Sequence, residues 1–246
     1  MTENPKPWFD VGVAEATKRR LFALFGFDEK GPPADARLLD FGCGAGRYMK
    51  IFAEVFGTEQ VYGVDVDSDR FGELKALGFS CKKLEDGEAR LNFPDRHFRY
   101  VYSSNVIEHI PRRHYLRYLE EIHRVLEPQG VLVIGAPNYP FKRLYDMRTA
   151  WRNRANPEMR NYYLFDDPTH VNFVNVLGVE KDLKRVGFRE LSFEAASLPF
   201  LDTLPMFRKR AAKRRFRALG YKFIGSCRKA EAVAGGDTPE EAAHEA

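Results

Sequence analysis

The stretch Asp40-Phe41-Gly42-Cys43-Gly44-Ala45-Gly46-Arg47 offers a small charged ligand room to approach the backbone and an acid to hold on to. The run 37–41 is apolar at Leu38, Leu39 and Phe41, as suits a central parallel strand. Tyr48, Ile51, Phe52 and Val55 follow at helical spacing. Gly42, Gly44 and Gly46 remove side chains where the chain turns from strand to helix. A ligand there lies on a helix N-terminus at the carboxyl end of a strand, the binding edge of open α/β sheets. The spacing G-x-G-x-G is not the dinucleotide fingerprint G-x-G-x-x-G, because Arg47 stands where that motif's last glycine would be. With Asp40 ahead of the loop, the pattern suits a cofactor bearing an ammonium group better than one bearing a pyrophosphate. Asp65, nineteen residues after Gly46, ends a second apolar strand and can accept from both hydroxyls of a ribose, with Val66 next to it on the same edge.

The loop fills every position of D/E-x-G-x-G-x-G. It resembles motif I of the class I S-adenosylmethionine (SAM) dependent methyltransferases. That resemblance implies a doubly wound, seven-stranded, mostly parallel α/β sheet whose last strand is antiparallel. It also implies a SAM site built from Asp40, Gly42, Cys43, Gly44, Gly46, Asp65 and Val66. Of Glu85 and Asp86, after the third strand, Asp86 is the choice to meet the adenine amino group, although 86–93 is one residue longer than the family's acid-x-x-x-L-P-F. Ser104 and Asn105 would meet the methionine end, since Ser103–Ile110 resembles the family's E-H-I/V segment after strand four. Arg124–Gly130 resembles its R-V-L-K-P-G-G turn, with Glu127 and Gln129 departing, and Arg99 stands where the family has an acid.

Methyl transfer from a sulfonium is a direct displacement, for which the protein supplies alignment and a dry site. A hydroxyl acceptor also needs a base, and His109 and His170 are placed for it. His109 follows strand four. His170 lies in Asp167-Pro168-Thr169-His170, similar to a segment of small-molecule and glycan methyltransferases. Some O-methyltransferases hold a divalent metal with E-x-x-E-H. Here Asn105 replaces the first Glu of that pattern, which removes a charge from a hard-ion site, and no metal is expected. The expected activity is O-methylation of a small-molecule or glycan-type acceptor, phosphate-bearing or lipid-linked. The alternatives are a SAM-binding regulatory protein and an RNA methyltransferase. No recognised RNA module supports the last.

These residues need a scaffold, and 246 residues suffice for one α/β domain. Residues 1–34 read as a lead-in with a helix over 11–25, residues 35–229 as the methyltransferase domain, and 230–246 as a disordered acidic tail. Strands are expected at 37–41, 60–65, 79–82, 99–103, 131–136, 188–194 and 221–227. Helices are expected from Ser68, as a cap, to Leu77, over 112–126 and over 176–186. Pro128-Gln129-Gly130 reads as a turn. Two insertions, 138–174 and 197–219, break the alternation on the substrate side.

Net charge is only +4, yet 208–217 holds seven Lys or Arg and no acid, and 138–160 holds six against two acids. This suits an anionic acceptor, and 207–217 reads as a basic helix that also suits an anionic membrane face. Cys43, Cys81 and Cys227 form no C-x-x-C and read as free thiols. With no signal core at the N-terminus and no spanning run, a cytoplasmic protein, peripheral at the inner membrane face, is expected.

Overall fold

Leu38–Phe41 (β1) is buried at every position, because it lies at the middle of a sheet covered on both faces. Parallel neighbours flank it: Val61–Asp65 (β2) on one side and Phe98–Ser104 (β4) on the other. Ser80–Lys83 (β3) extends the sheet beyond β2, and Leu126–Pro137 (β5) extends it beyond β4, both in parallel. Lys222–Lys229 (β7) runs antiparallel between β5 and Phe188–Ser197 (β6). The order is β3-β2-β1-β4-β5-β7-β6, so β7 alone is reversed, as the resemblance implied. The winding changes direction between β1 and β4, and their carboxyl ends open the crevice where such sheets bind ligands. The structure is a computed structural model that describes residues 15–27, 31–85, 90–164, 167–197 and 204–231. Asp86, residues 11–14 of the expected first helix, and residues 232–246 of the expected tail lie outside it.

Helices Glu15–Phe25 (α1), Arg47–Phe56 (α2) and Phe71–Ala76 (α3) cover one face, burying Leu21, Phe25, Phe52 and Leu74 among sheet residues such as Leu38 and Tyr102. Arg112–Val125 (α4) and Val176–Val186 (α7) cover the other through Leu119, Ile122 and Leu183. Leu126, expected in the helix, is already the first residue of β5.

Several expectations shift for local reasons. Pro128-Gln129-Gly130 is not a turn before β5 but an irregularity inside it. Phe98 pairs with Leu126 and Tyr100 with Val131, and Gln129 takes a positive φ to absorb the extra residues. Ser68 does not cap α3 with its side chain. Its carbonyl accepts from Phe71 N instead, and the helix starts three residues later. The basic helix is broken into Pro205–Arg208 (α8) and Arg210–Arg215 (α9), with Lys209 extended between them. Lys209 in extended backbone ends the first piece and begins the second, and neither piece has a side-chain N-cap. The first insertion carries two further helices, Phe141–Arg152 (α5) and Pro157–Leu164 (α6).

Both insertions are tied to the sheet by one buried side chain. Asn138, just past β5, donates from Nδ2 to Gly220 O at 2.6 Å and Ala218 O at 3.0 Å. Its Oδ1 accepts from Val176 N at 3.0 Å, at the start of α7. Replacing it with leucine leaves a buried N–H and buried carbonyls unpaired, each expensive to strand. Asn138→Leu is therefore expected to lower stability by about 2–4 kcal/mol, read as a lower urea midpoint at unchanged slope. An unchanged midpoint would mean the clamp contributes nothing.

Candidate functional site

The glycine loop folds back over β2. Gly42 N and Cys43 N both donate to Val64 O, at 2.8 and 3.0 Å. A Cβ on Gly42 would run into the Val106 side chain, and one on Gly46 into Leu74. These two glycines let the loop pack. Gly44 differs: its φ is +50°, and a Cβ there would meet nothing within 4 Å, so that side of the loop is open. Gly44 N donates to Asp65 Oδ2 at 2.7 Å, while Asp65 Oδ1 accepts from Asp67 N at 3.0 Å. The acid ending β2 thus also holds the loop. Cys43 fits because Gly63 has no side chain. A Cβ on Gly63 would lie 2.8 Å from Cys43 Sγ.

Asp40 sits under this loop, 2% exposed, and its Oδ2 has no hydrogen-bond partner. Burial pushes its carboxyl well above the usual range, and the nearby Asp65 charge adds to the effect. A group whose folded pKa is raised contributes stability that is whole below its unfolded pKa and is lost as pH rises through the folded one. Asp40→Asn abolishes that loss. The variant is expected to gain stability relative to wild type as pH rises above the ordinary Asp range, as read from denaturation midpoints across a pH series. Parallel wild-type and variant curves would contradict this.

At the end of β4, Asn105 adopts φ +56° and its N–H donates to Gly135 O at 2.9 Å, turning the chain out of the sheet beside the loop. Ser104 is half-buried there and accompanies the buried hydroxyl of Tyr102, whose ring lies 4.8 Å from Tyr48. Val66 is exposed at the β2 edge. Asp40, Cys43, Gly42, Gly44, Gly46, Asp65 and Val66 therefore gather at the β1 and β2 tips, with Ser104 and Asn105 at the β4 tip.

The segment leaving β4 brings in the histidines. Val171 N and Asn172 N donate to Glu108 O at 2.9 and 3.0 Å, and Asn172 Nδ2 donates to Ile107 O at 3.1 Å. This clamps the end of the first insertion onto the β4 exit and sets the His109 and His170 rings 4.9 Å apart. Thr169 Oγ1 donates to Asp167 Oδ1 at 2.6 Å, so toward His109 Nδ1, 2.9 Å away, it acts as acceptor. Thr169 O lies 3.2 Å from the same nitrogen. Two acceptors assign the proton to His109 Nδ1 and leave its Nε2 lone pair open. His170 Nδ1 lies 2.9 Å from the Tyr139 hydroxyl. Glu108 is fully buried, neither carboxylate oxygen has a hydrogen-bond partner, and burial raises its carboxyl to about 7. One ligand-type atom from each of Glu108, His109 and His170 lies within 4.8 Å of the others.

The sequence reading placed both histidines but missed Tyr139. Nothing local marks it, because its contact with His170 depends on the folding of the whole insertion. Among the second insertion's cations, Arg217 pairs with Glu180 on α7 through Nε and Nη2, at 2.5 and 2.9 Å, and Arg214 Nη2 reaches Ser192 Oγ on β6.

Residues 13–192 match a family model described as "Methyltransferase domain". Among curated proteins, a demethylmenaquinone methyltransferase of Geobacillus kaustophilus is 36% identical over 119 residues, covering 44% of this chain and 50% of that protein. A 2-methyl-6-phytyl-1,4-hydroquinone methyltransferase of Synechocystis is 29% identical over 161 residues, covering 64% of this chain and 48% of that protein. The chain thus spans about half the length of these curated relatives. Among solved structures, a SAM-dependent methyltransferase from Archaeoglobus fulgidus superposes with a TM-score of 0.58 at 23% identity, covering 87% of this chain and 92% of that one. That likeness establishes the fold.

Proposed function

The chain belongs to the methyltransferase-domain family, and from that premise we propose that it carries a methyl group from SAM to an oxygen of a small-molecule acceptor, with His170 as base. The residues at the strand tips fit SAM. Asp40 puts an acid with an unpartnered oxygen beneath the loop, where a cationic ligand would favour its charged form, and Gly44 leaves open space where a side chain would stand. Asp65 keeps its carboxylate at the crevice for a ribose. Cys43, Val66, Ser104 and Asn105 line the adjoining edge, while Asp86 lies outside the described residues. When bound, SAM supplies an electrophilic methyl group.

His170 and His109 would receive and hold the acceptor hydroxyl, with His170 removing its proton. For that, the contact of His170 Nδ1 with the Tyr139 hydroxyl, 2.9 Å away, orients the ring. The single observation that carries the reading is a shared wall. Val106, which closes on Gly42, is three residues before His109, so the cofactor loop and the histidine pair are braced by one segment.

The relatives named for demethylmenaquinone and a phytyl hydroquinone put quinol-type acceptors first in a screen. Glycan and phosphate-bearing acceptors come second. The test is purification, mass spectrometry of any bound ligand, and an acceptor screen with methyl-labelled SAM. Label in product with formation of S-adenosylhomocysteine supports the proposal. Tight SAM binding without turnover on any acceptor would favour a SAM-binding regulator.

One observation favours a second reading of the same cluster. Glu108, with both oxygens unpartnered, could join His109 and His170 in holding a divalent ion, a carboxylate and two imidazoles being a recurrent metal-ligand set. Turnover that survives excess chelator rules this out. Turnover lost to chelator and restored by a metal salt replaces the base reading with it.

A further inference from the structure

Among the described residues, the α5–α6 hairpin presents an apolar face that the fold leaves uncovered. On α5, Leu144, Met147 and Trp151 recur three and four residues apart and are exposed, Trp151 at 67%. The residues that α5 buries are Asp146 and Ala150. On α6, packed against α5, no residue is buried, and Met159, Tyr162 and Leu164 are exposed. A helix without a buried residue contributes nothing to a core, and adjoining apolar exposure on this scale marks an interaction surface.

The charge of the hairpin narrows the partner. Residues 141–164 carry six Lys or Arg against Asp146 and Glu158. Asp146 is buried and paired with Lys142, so Glu158 is the exposed acid, against exposed Arg152, Arg154 and Arg160. The Arg154 guanidinium lies 5.0 Å from the Trp151 ring. A second copy of the chain would bring like charge against like charge. An anionic bilayer offers the opposite charge together with a boundary where Trp, Tyr and Met are accommodated and arginines reach headgroup phosphates. No helix among the described residues is long and apolar enough to cross a membrane, so contact of this kind is peripheral.

We propose that the α5–α6 hairpin docks on the surface of an anionic lipid bilayer, its apolar residues at the headgroup–acyl boundary and its arginines on the phosphates. This surface lies in the first insertion and is distinct from 207–217, for which the sequence also suggests an anionic membrane face. Tyr139 precedes the hairpin and His170 follows it, so a docked hairpin has both ends anchored in the candidate site.

The test is co-sedimentation of the full chain with phosphatidylcholine vesicles, with and without phosphatidylglycerol. The protein should partition onto the anionic vesicles, lose that partitioning as salt rises, and bind phosphatidylcholine alone weakly. Leu144→Ser, Met147→Ser and Trp151→Ser combined should reduce partitioning at least about tenfold, with an unchanged denaturation midpoint. A second variant, Arg152→Glu with Arg154→Glu and Arg160→Glu, should remove the salt-sensitive part. Failure of the wild type to sediment with anionic vesicles at low salt would overturn the proposal. So would a triple-serine variant that binds as wild type does, or a wild-type dimer in analytical ultracentrifugation that the serine substitutions dissociate. The vesicle measurement needs neither SAM nor acceptor, so its outcome is separate from that of the methyl-transfer reading.

Discussion

Replacing His170 with alanine lowers kcat by about 10²–10⁴-fold, the range for loss of a general base, and leaves SAM affinity unchanged. The ring is half-buried at the centre of the cluster, with Tyr139 on its Nδ1 and His109 4.9 Å away. If Nε2 takes the acceptor proton, the rate must fall toward acid pH as the imidazole protonates, and the alanine variant must lose that dependence along with the rate. Tyr139→Phe separates a chemical from a structural role. It keeps the ring that packs against Phe173 and removes only the hydroxyl. Its expected effect is a smaller drop in kcat with little change in KM, because the base is then less well oriented. His109→Ala should cost less than His170→Ala, since its own Nδ1 is held by the Thr169 segment and its role is to shape the acceptor pocket. If His170→Ala turned over at the wild-type rate with an unchanged pH profile, the base assignment would be wrong. The open Nε2 of His109 would then be the next candidate.

How much of this was legible beforehand depends on how local each signal is. The glycine loop, Asp65 and the β4 exit are written in contiguous residues, and the structure puts them at adjacent strand tips. The 131–136 part of β5 is a continuous apolar run bounded by turn residues, the pattern of a strand buried on both faces. Features that depend on partners far along the chain were not legible. The irregularity at 128–130 has turn chemistry, and only pairing with β4 shows that the ladder runs through it. The basic run reads as one helix on spacing alone, yet the backbone is extended at Lys209. Its Arg217 found Glu180, 37 residues upstream. Tyr139 meets His170 across 31 residues, and Asn138 gathers carbonyls some 80 residues away. Chemistry that depends on such closures appears only once the insertion is folded.

Asp65→Ala is expected to weaken SAM binding by roughly 10²-fold, about 3 kcal/mol, the worth of one or two hydrogen bonds to a charged group. Two effects would contribute, and they can be separated. Asp65 Oδ2 already accepts from Gly44 N and Oδ1 from Asp67 N, so truncation frees the loop whether or not a ligand is near. Each carboxylate oxygen has further acceptor capacity, which in our reading goes to the ribose hydroxyls. A loosened loop would weaken every adenosyl ligand alike, whereas a lost ribose contact would weaken only ligands that carry the hydroxyls. The decisive measurement is a cycle: wild type and variant, each titrated by calorimetry with S-adenosylhomocysteine and with its ribose-deoxy analogue. Direct contact predicts a coupling, because the variant should no longer distinguish the two ligands. Additive losses would leave Asp65 as a brace for the glycine loop and remove it from the binding residues. Asp65→Asn refines the answer. Its amide keeps one acceptor oxygen and gives up the charge that adds to the raised pKa of Asp40. In that variant the buried Asp40 carboxyl should ionise more readily, so stability is retained to higher pH than in wild type even as ligand affinity falls. Opposite movement of affinity and stability would show that the acid at the β2 tip is kept for the ligand, at a cost to the fold.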